Sequence, residues 1–184
     1  MSVSTKPVVD RLLSLGCETG RPLTPIEVQK LLFFVEGWHL AIVGDSLFGE
    51  DFQAWANGPV IPSVYDRLKW YSSRPIPVSE IETNESSDLD GLVLDLIGRV
   101  FETYRASDPG AMVGLTHLPG TPWVQARREH GVPTGAPSNE IVPKETMKEW
   151  FSDVWRSALE PADGELVEAT PDDYAEWAET AAAA

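Results

Sequence analysis

Residues 23–65 read LTPIEVQKLLFFVEGWHLAIVGDSLFGEDFQAWANGPVIPSVY. The stretch opens with a helix start. Thr24 stands at the N-cap, Pro25 at the first helical position and Glu27 three residues after Thr24. This is a capping box, in which each side chain satisfies an orphan backbone N–H of the other. Gly44 supplies the left-handed residue that stops a helix. Between these ends Val28, Leu31, Leu32, Val35, Trp38, His39 and Ile42 recur at helical spacing. Phe33, Phe34, Leu40 and Val43 lie off that face, so the only polar surface left is Glu27, Gln29, Lys30 and Glu36. A helix apolar nearly all round is a buried central helix. Glu36 and His39 interrupt it too soon for a bilayer span.

After Gly44 the chain turns. Phe52 to Ala56 alternates as a short strand, and Asn57-Gly58-Pro59 is strong turn chemistry. A further helix is expected from Pro62-Ser63, carrying Val64 and Leu68 inward with Tyr65 beside them. Working outward, apolar spacing predicts a helix over 3–15 through Val8, Leu12 and Leu15. It predicts another over 88–105 through Leu89, Leu92, Leu96, Val100 and Tyr104. Ser107 with Pro109, and Thr121 with Pro122, are two more cap-plus-proline starts, and Pro143 opens a helix through Met147, Trp150, Phe151, Val154 and Trp155. Pro75 and Pro77 leave 70–77 irregular or at a sheet edge. The expected fold is mainly α: a compact multi-helix domain around a buried central helix. At most a small β-hairpin or short sheet is expected, near residues 46–56 and 75–78. The domain is expected over 1–158, followed by an acidic tail over 159–184.

The bulk properties agree. A chain of 184 residues supports one domain, and 42% hydrophobic residues with 7 Trp support a packed core. The single Cys17 rules out an intramolecular disulfide and a cysteine-cluster zinc site. No apolar run follows Lys6, so no signal peptide is expected and the protein is placed in the cytoplasm. The net charge is −15, and eight of the acidic residues, with no basic one, fall between Glu160 and Ala184. A second acidic run is Glu80 to Asp90. Sequence-independent nucleic-acid binding needs a basic footprint that this chain lacks. A basic protein partner fits better, and the plainer reading of acidic loops is solubility.

A set of residues in this order resembles a known family. It runs Gln29-Lys30-Leu31-Leu32-Phe33-Phe34, Gly37-Trp38-His39-Leu40-Ala41, Leu47-Phe48, Ala54-Trp55 and Gly58-Pro59-Val60-Ile61-Pro62-Ser63-Val64-Tyr65. It is similar to the signature of the Panacea domain, found in SocA-like antitoxins and phage-associated GepA-like proteins. Thr116-His117 followed by Pro122-Trp123 resembles the family's second motif. The resemblance covers about residues 8 to 156. It implies an antitoxin that neutralises a cognate protein toxin, encoded by an adjacent gene, through direct protein–protein binding. It implies no catalytic residue, metal or cofactor. It also admits a proteolytic adaptor that delivers the toxin to a ClpXP-type protease.

The residues themselves carry weak chemistry. No P-loop, GxGxxG, HExxH or nucleophile elbow is present. Glu36 and His39 stand at i and i+3, a spacing that binds metals in helical bundles, but a satisfied core histidine is the simpler account. His117 either caps a helix, ties a loop to the core, or functions. An uncharacterised enzyme using these histidines is the remaining alternative. Trp55 divides between core packing and interface anchoring. Gly58, Pro59 and Pro62 shape the turn, with Gly58 and Pro59 presenting its surface to a toxin. The toxin-binding candidates are therefore Trp55, Gly58, Pro59, Tyr65 and His117, with Tyr174 and Trp177 in the tail, while Leu31, Trp38, His39, Pro62 and Trp123 are structural. In the tail, Thr170-Pro171-Asp172-Asp173 starts another helix, and Tyr174 and Trp177 share a face. That segment is either a recognition helix for the partner or one that docks on its own domain. The terminal Ala181-Ala182-Ala183-Ala184 is similar to the alanine-ended tags that ClpXP-type proteases recognise.

Overall fold

The computed structural model describes residues 3–81 and 89–159. The acidic run over 82–88 and the tail, with Tyr174, Trp177 and the terminal alanines, lie outside the described residues. Among the described residues the order is α1 (Thr5–Glu18), α2 (Pro25–Val43), β1 (Phe52–Trp55), β2 (Gly58–Val60), α3 (Pro62–Leu68), α4 (Gly91–Tyr104), α5 (Pro109–Thr116), α6 (Pro122–Glu129), β3 (Ile141–Val142) and α7 (Lys144–Leu159). Single 3-10 turns cover Lys69–Tyr71 and Val78–Glu80. The mainly α reading with a short sheet holds.

The central helix is as expected. Glu27 accepts from the Thr24 N–H at 2.7 Å, and Gly44 ends α2 with φ 85°. Helices α1, α3, α4, α5 and α7 and strand β2 all pack on α2. Phe151 of α7 meets Phe33, Phe34 and Trp38 edge-on, with ring centroids 5.7, 6.5 and 4.9 Å apart. Phe34 stacks on Tyr104 of α4 at 4.1 Å. Burial raises the Tyr104 hydroxyl's pKa, so it stays neutral. The last turn of α2 emerges, leaving Ile42 and Val43 exposed.

The polar residues of α2 correct the sequence reading. Glu27, Gln29, Lys30 and Glu36 are not surface: all four are buried. Gln29, Lys30 and Glu36 are buried where later backbone folds over them and needs a partner, while Glu27 is held by Thr24 and Arg21. Glu36 accepts from the Ser46 hydroxyl at 2.6 Å and from the Leu47 and Phe48 N–H groups at 3.1 Å each. Desolvation raises its pKa, and these donors oppose the shift. Gln29 accepts from the Ile61 N–H and donates to the Ile61 carbonyl, at 2.9 and 3.2 Å. His39 donates through Nδ1 to Asp45 O at 2.8 Å. Lys144 and Lys148 of α7 then cap Phe48 O and Gly44 O.

The sheet also differs from expectation. Its order is β2-β1-β3, all antiparallel, with Ala54 opposite Pro59 and Phe52 opposite Val142. The third strand comes from 141–142, not 75–78. Ile76 sits between two prolines, and its N–H goes to Leu23 O at 2.8 Å instead. Pro59 is tolerated because β2 is an edge strand, where a missing N–H breaks no ladder. Three smaller corrections concern helices. Asp108, not Ser107, caps α5, because its carboxylate reaches the Ala111 N–H at 2.9 Å. Leu92 is exposed, since the buried stripe of α4 is Val93, Leu96, Ile97, Val100, Phe101 and Tyr104. Tyr65 is turned outward and 40% exposed while Val64 and Leu68 are buried.

Candidate functional site

The hairpin β1–β2 is held from two sides. Behind it, two consecutive carbonyls accept from side chains of α6, and the next one is faced by His117. Arg127 donates to Ala54 O at 2.7 Å, Trp123 Nε1 to Trp55 O at 2.9 Å, and His117 Nε2 lies 3.4 Å from Ala56 O. Arg127 also donates to Pro133 O and Ala136 O at 2.7 and 2.8 Å, and its guanidinium lies 4.9 Å from the Trp123 ring centre. The His117 ring packs 3.8 Å from Trp123, and its Nδ1 donates to Val113 O at 2.6 Å. Thr121 donates to Thr116 O at 2.8 Å, which fixes the turn between α5 and α6. In front, Lys30 donates to Pro59 O at 3.1 Å, and Gln29 holds Ile61.

Gly58 is required at the tip. Its φ is 102°, and a Cβ there would fall 2.5 Å from Lys30 Nζ and 2.8 Å from Thr116 Oγ1. The two halves of the motif therefore meet on either side of one glycine. Gly58 and Pro59 are themselves buried, so they shape the surface without forming much of it.

What this hairpin presents is a cleft of about 220 Å³ between it, α2 and α3, lined by Ile26, Lys30, Trp55, Asn57, Val60 and Tyr65 among others. Trp55 and Tyr65 meet edge-on at 4.8 Å, and the Trp55 indole is held by Gln53 Oε1 at 2.8 Å. Tyr65 is half open to solvent, and Trp70, just beyond α3, is 75% exposed. Lys30 is 1% exposed, and burial pulls its pKa down to about 7. The structure thus brings Trp55, Gly58, Pro59, Tyr65 and His117 into one region. Leu31, Trp38, His39 and Trp123 are buried, while Pro62 opens α3.

The description "Antitoxin SocA-like, Panacea domain" belongs to the family model that matches residues 28–124. The chain belongs to the SocA-like Panacea family. Antitoxin SocA of Caulobacter vibrioides (strain NA1000 / CB15N) is 30% identical over 130 residues, covering 66% of this chain and 69% of the relative. No solved structure matches the chain. The Panacea match runs from the first turns of α2 to the Trp123 that holds Trp55 O, so it contains both sides of the hairpin. Arg127, β3 and α7 fall outside it. The motif flagged Lys30 and Gln29 only as part of a helix pattern. Their role depends on backbone that arrives about thirty residues later, which helical periodicity does not report.

Proposed function

We propose that this protein is the antitoxin of a toxin–antitoxin pair, neutralising a protein toxin encoded by an adjacent gene through direct binding. Membership of the SocA-like Panacea family carries the proposal. The mechanism is occlusion: the antitoxin covers the toxin's active surface, and a chain of charge −15 draws in a basic toxin. The half-exposed pair Trp55–Tyr65 at the cleft supports this, because aromatics beside a rigid turn are low-entropy interface anchors. The histidines support a non-enzymatic role. His39, His117 and His130 each set Nδ1 against a main-chain carbonyl, those of Asp45, Val113 and Ala126. Glu36 has both oxygens engaged by Ser46 and backbone N–H groups. These are the bonds of core and capping residues.

The test is growth rescue. The neighbouring gene is induced alone and then with this protein, and toxin levels are followed by immunoblot. Arrest that is relieved while toxin persists supports occlusion. Relief with disappearing toxin, restored by removing a ClpXP-type protease, supports an adaptor instead. No relief sinks both.

A further inference from the structure

The cleft inverts the sign of the molecule around it. The chain holds 29 acidic and 14 basic residues, yet no acidic residue lines this cleft and one lysine does. An ammonium offers three N–H donors. Lys30 gives one to Pro59 O and, among the described residues, has no carboxylate partner. The wall around it is apolar and aromatic, with Ile26, Trp55, Val60 and Tyr65. A buried cation with unused donors beside an apolar wall suits a single carboxylate carried on a short apolar stem.

We infer that the cleft receives the side chain of one Asp or Glu of the protein toxin, its carboxylate toward Lys30 and its stem against the Trp55–Tyr65 pair. This rests on the antitoxin reading. A polyanion such as nucleic acid is disfavoured by the overall charge of −15. One carboxylate on an otherwise basic surface is not, and it adds register to a broad electrostatic attraction.

The inference has a proton signature. Burial leaves Lys30 only partly charged near neutral pH in the free protein. A carboxylate beside it favours the charged form. Binding therefore takes up a proton, and affinity falls as pH rises above about 7. The other titratable groups nearby are Tyr65 across the cleft, His117 beside Thr116 behind the hairpin, and Glu27 one turn earlier on α2, which is paired with Arg21.

Two arms test this on the full chain. In the first, lysine Cε signals are followed by NMR with phenylacetate as probe and benzyl alcohol as its neutral counterpart. Phenylacetate should move the Lys30 titration upward, and benzyl alcohol should not. Lys30→Met, with its fold checked by amide spectra, should lose phenylacetate binding. Tyr65→Ala should weaken it while leaving Lys30 in place, and this arm stands if Lys30→Met does not fold. Equal binding of both probes, or an unmoved Lys30 titration, overturns the inference. In the second arm, toxin affinity is measured at about pH 6.5 and about pH 8.5. Wild type should weaken at the higher pH, and Lys30→Met should bind about thirtyfold or more weaker at the lower pH and lose the pH dependence. Equal neutralisation and an equal pH profile in both proteins overturn the inference and leave the antitoxin reading standing. Phenylacetate binding without any toxin binding overturns the assignment to a toxin side chain and the antitoxin reading together.

Discussion

Gly37 lies directly beneath the ring of Phe151: a Cβ on Gly37 would come within 2.1 Å of Phe151 Cε2. Helices α2 and α7 approach this closely because the glycine has nothing to keep them apart. Gly37→Ala must displace Phe151 from Phe33, Phe34 and Trp38, and it is expected to cost about 3 kcal/mol. Gly98 on α4 is the control, since a Cβ there meets nothing within 4 Å. Gly98→Ala should stabilise by about 0.5–1 kcal/mol through helix propensity. Urea midpoints of the two variants should move in opposite directions.

Lys30 makes stability depend on pH. Its pKa is about 7 when folded and 10.5 as the ordinary value. The unfolded chain therefore holds more protons than the folded one between those values, and stability rises with pH across that window. The slope is at most about 1.4 kcal/mol per pH unit. Below pH 7 the lysine is charged in both states and the full cost of burying it remains. Urea titrations at about pH 7 and about pH 9.5 should show this rise in wild type and not in Lys30→Met. A slope unchanged in the variant would assign it to another group.

Arg127 holds three carbonyls from two stretches of chain, Ala54 O in β1 and Pro133 O and Ala136 O in the loop after α6. Arg127→Met leaves them without that donor and is expected to cost about 3 kcal/mol or more. Arg127→Lys should recover only part, because one ammonium cannot reproduce the planar fork. Thermal unfolding of the two variants checks the order.

Much of this was legible in the sequence where the governing rule is local. The capping box at Thr24, the stop at Gly44, the Asn57-Gly58-Pro59 turn and the Thr121-Pro122 start each depend on neighbours within a few residues, and each stands where expected. Errors arose where distant chain decides. Glu36 reads as helix surface until the N–H groups of Leu47 and Phe48 fold onto it. Strand β3 is two residues long, too short for any period, and exists because β1 leaves an edge open to it. Asp108 and Ser107 are both good caps by type, and reach to the Ala111 N–H chooses between them. Of the cleft, the sequence singles out Trp55 and Tyr65 as binding candidates, whereas Lys30, though part of the resemblance, takes its place there only through the hairpin's docking on α2.

Tyr65 separates binding from folding. It is 40% exposed, so Tyr65→Ala should change stability by no more than about 1 kcal/mol. If the cleft faces the toxin, the same change should weaken the complex about tenfold or more. Leu92, exposed on α4, is the matched control, and Leu92→Ala should leave neutralisation intact. Equal loss in both variants would move the interface away from the cleft.

The most direct test of the account mixes the purified protein with the purified product of the adjacent gene and weighs the mixture by size-exclusion chromatography with light scattering. One stable species containing both chains, with the toxin inactive in it, is expected. Neutralisation in cells without any complex in the purified mixture would contradict direct binding.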